Sequence, residues 1–541
     1  MLHGQGCATF TSCYLSTWRS CLTREGFRAN ITASNGYGII ATQGGIMSDR
    51  PTPARTRFAP SPTGYLHIGS LRTVLFSWLW ARHTGGQFLL RIEDTDRKRF
   101  VEGAEEQLTS SLQAIGLMWD EGPIVGGPHA PYKQSERLEI YQAHAQALID
   151  KGVAYRSYAT ADEIAAINAE REARGEPKLL VFRNLPGIDD AAREAAGADY
   201  NVRLSLKTTG QTVVQDLVRG QIVFDNAALK MPDPVLLKTD GFPTYALAAM
   251  VDDHLMGITH VLRADEWIPT WPIHHQIYEA FGWEQPVWVH VPQVLGSDGK
   301  KLSKRHGDTS VTEYIDLGFV PEAIINYLAL IGWSYDDKTE FMTLEELIER
   351  FDLNRIRPSG GVFDRDKLLH FNGVYLRNMA PAELAQRVAP YLSKAGLISA
   401  EPTAAELAKI TEYLPLVQDR LKLLSEAPEL LDFFFVDPQG YDPALLVPKK
   451  GDPAQTVEIL GQVKASFEAV ETWDAPSLDK LLHDFVNQLG LKIPQVFMPI
   501  RVAISGRTTS PGLFETLAVL GKAVTLARIS TAAAALSSAS V

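Results

Sequence analysis

The chain has 541 residues, of which 45% are hydrophobic and 21% charged, a composition typical of a globular protein with roughly two to four domains. The formal net charge of −12 excludes a protein that coats DNA, because such a protein is basic over a broad face, and it restricts any contact with nucleic acid to local patches. No uninterrupted apolar run approaches the length of a membrane span, so no membrane partner is expected.

The first 46 residues differ in composition from the rest of the chain. They are rich in Ser and Thr and contain three arginines but a single acid, Glu25. This composition resembles an organellar transit peptide, although no amphipathic Arg-bearing helix is evident, and the alternative is that translation begins at Met47. We expect residues 1–54 to be an extension, either disordered or a non-native start, of a cytoplasmic protein. A mitochondrial location follows if residues 1–46 are a transit peptide.

All three cysteines, Cys7, Cys13 and Cys21, lie in this extension. The rest of the chain therefore offers no thiolate to a metal ion and no disulfide. This cysteine usage is typical of a protein from a reducing compartment.

From Arg55 to about Gly116 the pattern is strand, turn, helix, strand, helix. The segment TRFAP predicts a short strand that ends at Pro60, and QFLLRIEDTD predicts an apolar strand that ends in charge. This alternation predicts a parallel sheet. Between the two strands, apolar residues recur at helical spacing and predict one buried helix face: Ile68, Leu71, Leu75, Trp78 and Leu79.

The helix is predicted to begin after a turn at Pro62 and Gly64, which places His67 and Gly69 at its N-terminus. Free backbone N–H groups and the helix dipole favour an anion there. The alternative is that His67 is only a partly buried capping residue.

From about Trp119 to Gly241 the pattern is less regular, and Ala- and Glu-rich helices precede short strands. This stretch is interpreted as an insertion between two halves of a sheet domain. The βα pattern then resumes, and from Pro321 the chain is predicted to be mostly helical. The terminal STAAAALSSASV is expected to be a small-residue tail with nothing to pack against.

The segment GSDGKKLSKRHGD, from Gly296 to Asp308, combines three glycines with four basic side chains. It follows the predicted strand VWVHVPQVL, so we expect it at the carboxyl edge of the sheet, where ligands of open α/β sheets bind. A mobile basic loop there can close over a polyphosphate. The alternative is a solvated basic turn, but Leu302 and Ser303 interrupt the charge in a way that a solubilising run does not require.

Four long motifs occur in order: RFAPSPTGYLHIGSLRT, LRIEDTD, VDDHLMGITHVLRADEW and LGSDGKKLSKRHGDTSV. Together they resemble the glutamyl-tRNA synthetase family of class I aminoacyl-tRNA synthetases. The resemblance extends from about Arg55 to the late segment IRVAISGRTTSPGLFETLAVLGKAVTLARI.

The resemblance implies an α/β fold and a domain order. A Rossmann-like parallel-sheet catalytic domain is expected at 55–375, with an inserted acceptor-stem subdomain at about 119–241 and a stem-contact region at about 310–375. An all-α anticodon-binding domain is expected at 376–541.

The same resemblance implies an enzyme, a glutamate–tRNA ligase. It would form glutamyl-adenylate from L-glutamate and ATP, with Mg²⁺, and then pass the glutamyl group to the terminal ribose of tRNA(Glu). Many relatives carry a cysteine-rich zinc site in the insertion, but the corresponding AYRSYATADE has no cysteine, so no zinc is expected. Relatives are usually monomers, and a monomer is expected here.

By resemblance, three residues are catalytic: His67, Lys301 and Lys304. Those expected to bind ATP are His67, Gly69, Glu266, Lys301 and Lys304. Many relatives have a second histidine where this chain has Ser70.

The residues expected to bind glutamate are Arg57, Ala59, Ser61, Glu93, Tyr245 and Arg263. Two guanidiniums suit the side-chain carboxylate of the substrate, and Glu93 suits its ammonium group.

Some of these residues have alternative interpretations. Arg57 could instead form a salt bridge with Asp94 or Asp96, and the latter two could be structural supports. Tyr245 could be a core residue with its hydroxyl bonded to backbone, and Trp267 could be a packing anchor that does not stack on adenine.

In the helical half, YLPLVQDRLKLL resembles the helix that faces the last anticodon base, and Gln418 lies where relatives carry arginine or glutamine. Glutamine there is associated with relaxed choice, so charging of tRNA(Gln) is a further hypothesis.

Three other identities make different predictions. A glutaminyl-tRNA synthetase would carry β-barrels in place of the helical half. A shortened relative that modifies a tRNA base would lack this half. A non-catalytic RNA-binding paralogue would show degraded motifs.

Overall fold

The structure is a computed structural model that describes residues 52–303, 310–449 and 451–539. Residues 1–51 of the extension, which contain the three cysteines, and the predicted catalytic residue Lys304 lie outside the described ranges. The described chain forms two compact units. The first holds the described residues up to Tyr314 together with Ile324–Asp364, and the second holds Ile315–Ala323 together with the described residues from Arg365 onward.

Two strands and the helix between them begin the first unit, as the sequence predicts. Strand β1 (Arg55–Phe58) leads through helix α1 (Ile68–Thr84) to β2 (Gln87–Leu90), which pairs with β1 in parallel. The five predicted apolar positions of α1 are all buried. The helix ends at Gly85, whose φ of 68° is the left-handed conformation that favours glycine, and the next N–H bonds back to Ala81 O at 2.8 Å.

The remaining catalytic strands lie in a four-stranded sheet of order β6-β5-β9-β8. Strands β8 and β9 pair in parallel, and Thr259, just before β8, donates its N–H to Arg55 O of β1 at 2.9 Å. The carboxyl ends of β1, β2 and β8 therefore face one edge. The bounds of the sheet strands are β5 (Gln211–Asp216), β6 (Gly220–Asp225), β8 (His260–Ala264) and β9 (Val287–Val291).

One part of the predicted insertion, a hairpin, joins this sheet. Strand β5 pairs in parallel with β9 at Asp216 and Trp288, so the β5–β6 hairpin belongs to the catalytic sheet. A second, antiparallel sheet has the order β3-β4-β7. Its strands are β3 (Ala154–Ser157), β4 (Asn201–Leu204) and β7 (Val235–Leu237).

Helices cover the sheets, and one buried core includes residues of the insertion and of the catalytic strands, among them Val202, Val214, Met250, Val261 and Trp271. The helices of this part are α2 (Ala104–Ala114), α3 (Leu138–Asp150), α4 (Ala161–Ala173), α5 (Asp190–Ala195), α6 (Asn226–Leu229), α7 (Tyr245–Leu255) and α8 (Trp271–Phe281). After them come β10 (Val294–Leu295), α9 (Val311–Asp316), α10 (Pro321–Ala329), α11 (Leu344–Arg350) and β11 (Gly361–Val362).

The second unit is helical, as predicted. Asp452 and Asp474 cap two of its helices by accepting backbone N–H groups at 2.8 Å. The helices are α12 (Arg365–Asn378), α13 (Pro381–Lys394), α14 (Ala404–Tyr413), α15 (Ala427–Phe435), α16 (Pro453–Glu468), α17 (Ala475–Leu489), α18 (Ile493–Ser505), α19 (Leu513–Leu520) and α20 (Lys522–Ala539).

The expectation of an unpacked small-residue tail is wrong. Helix α20 continues to Ala539, and Ile529, Ala532 and Leu536 are buried in the core of the second unit. Their spacing of three and four residues places them on one helix face, which the surrounding alanines and serines conceal in the sequence.

Within the described ranges, no single helix is long and apolar enough to cross a membrane, although the bent pair α19 and α20 passes that test jointly by length and composition alone.

Candidate active site

A cleft of about 830 Å³ lies at the edge where β1, β2 and β8 end. Glu93 continues the line of β2, and its N–H bonds to Pro60 O at 2.9 Å, which brings the ends of the first two strands together. The lining includes Arg57, Ala59, Ser61, His67, Gly69, Glu93, Tyr245, Arg263, Glu266 and Lys301. The structure thus gathers in one cleft the predicted residues that it describes, apart from Gln418 in the second unit.

His67 is the N-cap of α1, where its extended backbone (φ −99°, ψ 142°) precedes the helix. Its Nδ1 accepts the N–H of Gly69 at 3.0 Å. A Cβ at Gly69 would lie 3.1 Å from that same nitrogen, so the glycine gives the imidazole room. His67 is therefore a capping residue, as one interpretation held, and it also lines the cleft.

Of the described residues that flank the basic loop, Lys301 and Leu302 line the cleft and Ser310 is bridged to the cleft residue His67. Leu302 is buried, and its N–H bonds to Val294 O at 2.9 Å, which explains the apolar residue between the charges. At the other end, Ser310 pairs with His67 in an isolated antiparallel bridge. Lys301 is 60% exposed in its side chain and contacts Glu266 Oε2 at 2.5 Å, so it is an accessible cation.

Arg57 forms a buried ion pair at the floor of the cleft, through Nε and Nη2 at 3.0 and 3.2 Å from the two carboxylate oxygens of Asp253. Arg91 reaches the same carboxylate at 2.8 Å. The alternative interpretation is therefore right that Arg57 forms a salt bridge but wrong about the partner, which is Asp253 and neither Asp94 nor Asp96.

Glu93 is 4% exposed and accepts a hydrogen bond from Arg91 Nη2 at 3.1 Å. Burial raises the pKa of Glu93 to about 7, although the charges of Arg91 and Arg57 lower it. This carboxyl group therefore keeps its proton to a higher pH than an exposed glutamate does.

Arg263 lies one residue before the end of β8 and is 5% exposed. Its Nε donates to His290 Nε2 at 2.9 Å, and its Nη2 contacts His274 Nδ1 at 3.2 Å. Its Nη1 is buried and has no hydrogen-bond partner among the described residues. An uncapped guanidinium corner in a cleft is suited to an anionic ligand group.

The phenol ring of Tyr245 packs against Trp267, with 4.4 Å between ring centroids, and both residues line the cleft. Burial raises the pKa of the Tyr245 hydroxyl, so it stays neutral and able to donate. Trp267 is therefore a packing residue that also lines the cleft.

The sequence did not single out the groups that hold these arginines, which are Asp253, His290, His274 and Asp216. One signal was present. A histidine in the middle of the apolar strand VWVHV is a polar residue placed in a core position.

Of the two other acids near the motif, Asp94 is a structural support. It accepts the N–H and the hydroxyl of Ser135 at 2.8 and 2.6 Å. Asp96 lines the cleft and is paired with exposed Arg99 at 2.7 Å.

Gln418 is 8% exposed in the second unit. Its amide nitrogen donates to Leu376 O and Met379 O at 2.8 Å each, at the carboxyl end of α12. The amide thus satisfies helix-end carbonyls. These contacts give no support to a base-reading role, which stays a prediction.

In the part of the chain that the structure describes, no group of three or more His, Cys, Asp or Glu side chains could hold a metal ion. The expectation that no zinc is bound stays a prediction.

Comparison with known protein families gives two matches. The model of "tRNA synthetases class I (E and Q), catalytic domain" matches residues 53–370, and that of "Anticodon binding domain" matches residues 383–533.

Individual proteins agree with these matches. A glutamate–tRNA ligase of Roseiflexus castenholzii is 49% identical over 497 residues, covering 90% of this chain and 97% of its own. That of Chloroflexus aurantiacus is 47% identical over 503 residues, covering 91% and 99%. The crystal structure of a glutamate tRNA ligase from Elizabethkingia meningosepticum, in complex with its amino acid, superposes with a TM-score of 0.80 at 32% identity, covering 89% of this chain and 99% of its own.

Proposed function

The chain belongs to the class I tRNA synthetases of the E and Q group, and from this premise we propose that it ligates L-glutamate to tRNA(Glu) in two steps driven by ATP. In the first step, an oxygen of the α-carboxylate of glutamate attacks the α-phosphorus of ATP. The bond from that phosphorus to the bridging oxygen breaks, and pyrophosphate leaves. In the second step, a hydroxyl of the terminal ribose attacks the glutamyl carbonyl carbon and AMP leaves.

The chemistry asks the protein mainly for positioning and for charge stabilisation. On the phosphate side, we assign His67, Gly69 and Lys301 to the triphosphate, together with Lys304 by resemblance. Their support is that the N-cap of α1 and the described start of the basic loop line one cleft. Mg²⁺ enters as part of the ATP substrate and offsets phosphate charge. Glu266 is assigned to the same side through its contact with Lys301.

On the amino-acid side, we assign Arg263 and Arg57 to the side-chain carboxylate and Glu93 to the ammonium group, with Ala59, Ser61 and Tyr245 completing the pocket. The observation that carries the proposal is the buried Nη1 of Arg263, which has no hydrogen-bond acceptor among the described residues and lies in the same cleft as the residues assigned to the triphosphate. Glutamine would leave the charge of this guanidinium unneutralised, and a site built for hydrogen bonds to one group rejects an analogue without it strongly.

The test is ATP–pyrophosphate exchange by the full chain with glutamate or glutamine, each with and without tRNA(Glu). We expect exchange with glutamate under at least one tRNA condition and little with glutamine. Exchange that prefers glutamine would replace the proposal with the glutaminyl alternative. Absence of exchange under all conditions, together with retained tRNA binding, would favour a non-catalytic paralogue.

The choice of tRNA is a separate part of the proposal. We retain the hypothesis that tRNA(Gln) is also charged, because Gln418 in the YLPLVQDRLKLL segment lies where relatives carry arginine or glutamine and glutamine is associated with relaxed choice. Glutamylation of purified tRNA(Gln) tests it, and a rate no higher than that with an unrelated tRNA removes it. A monomeric, cytoplasmic enzyme is likewise proposed, with a mitochondrial location if residues 1–46 are a transit peptide. Light scattering and localisation of the tagged full chain test these two points.

A further inference from the structure

The guanidinium of Arg263 is held by neutral groups. Nε and Nη2 donate to His290 Nε2 and His274 Nδ1 at 2.9 and 3.2 Å, and the guanidinium carbon lies 4.6 Å from the ring centroid of Trp288. A guanidinium can only donate, so both imidazole nitrogens that face it must be unprotonated acceptors. No carboxylate among the described residues forms an ion pair with Arg263.

The tautomer of His290 is set by Asp216. Asp216 Oδ2 lies 2.7 Å from His290 Nδ1 and accepts the backbone N–H of the same residue at 2.9 Å. Its Oδ1 accepts the N–H groups of Val218 and Arg219 at 2.9 and 2.8 Å. Every face of this carboxylate thus meets a donor, which keeps the proton on His290 Nδ1 and the lone pair on Nε2.

Both rings are suited to the neutral state. Burial lowers the pKa of His274 well below its ordinary value, and the charge of Arg263 acts in the same direction. Burial also lowers the pKa of His290, although the carboxylate of Asp216 opposes it. Protonation of either ring would place two cations in contact in a buried site.

We infer that His290, His274 and Asp216 are positioning residues, which orient Arg263 through neutral acceptors and so reserve its positive charge for the side-chain carboxylate of the substrate. This inference rests on the proposed function, because it assigns to these residues a share of the choice of glutamate over glutamine. A carboxylate in place of either imidazole would neutralise Arg263 in the empty enzyme and weaken that choice.

A crossed pair of substitutions tests the inference. The amide of glutamine occupies the place of an imidazole Nε2, and the amide of asparagine occupies the place of Nδ1. His290→Gln therefore keeps an acceptor for Arg263, whereas His290→Asn removes it. At His274 the order reverses, because Nδ1 is the acceptor there, so His274→Asn keeps the contact and His274→Gln removes it.

The readout is aminoacylation of tRNA(Glu) by the full chain, with KM measured for glutamate and for ATP. We expect His290→Asn and His274→Gln to raise the KM for glutamate about 10- to 100-fold, as for loss of a hydrogen bond to a charged group. The matched variants that keep the contact, His290→Gln and His274→Asn, should have a KM for glutamate within about 3-fold of the wild-type value. The KM for ATP should change by less than about 3-fold in all four variants, and the preference for glutamate over glutamine should fall only in the first two.

Other outcomes decide against the inference. If asparagine is worse than glutamine at both positions, or the reverse, the residues act through packing. If the KM for ATP rises with that for glutamate, the damage is general. If the wild-type chain itself does not charge tRNA(Glu), the proposed function fails first, and this is distinguishable from any result on the variants.

Asp216→Asn supplies a second measurement. The new amide nitrogen must face either the two backbone N–H groups of residues 218 and 219 or the backbone N–H and Nδ1 of His290. The second orientation is favoured because the imidazole can change tautomer and the backbone donors cannot; the amide then donates to Nδ1, and the proton on Nε2 opposes Arg263. We expect the KM for glutamate to rise at least 10-fold, with the KM for ATP within about 3-fold. An unchanged KM for glutamate in a variant that folds would overturn the role of Asp216.

Discussion

The two arginines assigned to the substrate carboxylate lie in regions with opposite electrostatics. Arg57 is paired to Asp253, which Arg91 shares, so its charge is compensated before any substrate arrives. Around Arg263 lie two imidazoles, an indole ring and the hydroxyl of Tyr245, and no carboxylate among the described residues forms an ion pair with it. The contrast teaches that one guanidinium is built into the fold, while the other is kept ready for an incoming anion.

This contrast separates stability from specificity. Removing one partner of a buried ion pair leaves an uncompensated charge, so the Arg57 side should respond to substitution mainly by unfolding. The Arg263 side should respond mainly by loss of glutamate binding, because Arg263 has no ion pair with a described carboxylate to lose and its Nη1 has no hydrogen-bond partner among the described residues.

The largest effect is expected for Asp253→Ala. It leaves Arg57 and Arg91 without their shared carboxylate, and we expect the free energy of unfolding to fall by about 3–5 kcal/mol in urea denaturation of the full chain. Asp96→Ala is the matched control, since it removes a carboxylate from an exposed pair. Equal unfolding midpoints for the two variants would contradict the idea that the Arg57 side is structural.

Next in size is Arg263→Ala. We expect the KM for glutamate to rise about 10- to 100-fold, while the KM for ATP and the unfolding midpoint stay near their wild-type values. Arg263→Lys keeps the charge but not the planar guanidinium, so its KM for glutamate should lie between those of the wild type and Arg263→Ala. Unchanged glutamate kinetics in the alanine variant would remove Arg263 from the pocket.

The third prediction concerns Glu93, which is assigned to the substrate ammonium group, and the pH dependence of kcat/KM for glutamate. Because the pKa of Glu93 is raised to about 7, the fraction that carries the charge required by the substrate ammonium increases through neutrality. We expect kcat/KM for glutamate to rise with pH through about 7 and to level off above it. Glu93→Gln should lower kcat/KM and flatten this rise; a profile as steep as that of the wild type would show that another group titrates.

The same raised pKa has a consequence for folding. The folded state holds the Glu93 proton more tightly than the unfolded chain does, so this contribution to stability is fully present below the ordinary pKa of 4.5. It is lost as pH rises through about 7. Urea denaturation of the wild type and of Glu93→Gln at pH 5.5 and at pH 8 measures this effect. The change in the free energy of unfolding between the two pH values should be smaller in the variant.

The smallest effect is expected at the cleft entrance. Lys301 and Glu266 form an exposed pair, with side chains 60% and 43% accessible. Glu266→Gln should change the free energy of unfolding by less than about 1 kcal/mol. A larger loss would mean that this pair, like that of Arg57, is structural.

Much of the cleft could be predicted from the sequence because its residues lie in short motifs at strand ends and a helix start. His67, Arg57 and Arg263 were located by local pattern and by resemblance. Their holding groups could not be, since Asp253 lies 196 residues from Arg57 and Asp216 lies 74 from His290. Such contacts depend on how strands are ordered across a sheet, which local periodicity does not encode.

The same reason explains the other differences. The helical second unit follows from periodicity, but the burial of α20 does not, because Ala532 has little hydrophobic signal of its own. The attachment of β5 to β9 was not predicted either, since a hairpin with exposed Val213 and Val223 has no sequence mark of its neighbour.

That attachment limits how this enzyme can be re-engineered. A chimera that exchanges the whole 119–241 segment with a relative would also exchange Asp216, and with it the lock on the ring of His290. A graft that keeps Gln211–Asp225 from this chain and replaces only the flanking portions preserves that lock. The junctions of a chimera should therefore lie within the insertion, on either side of Gln211–Asp225, and not only at its two ends.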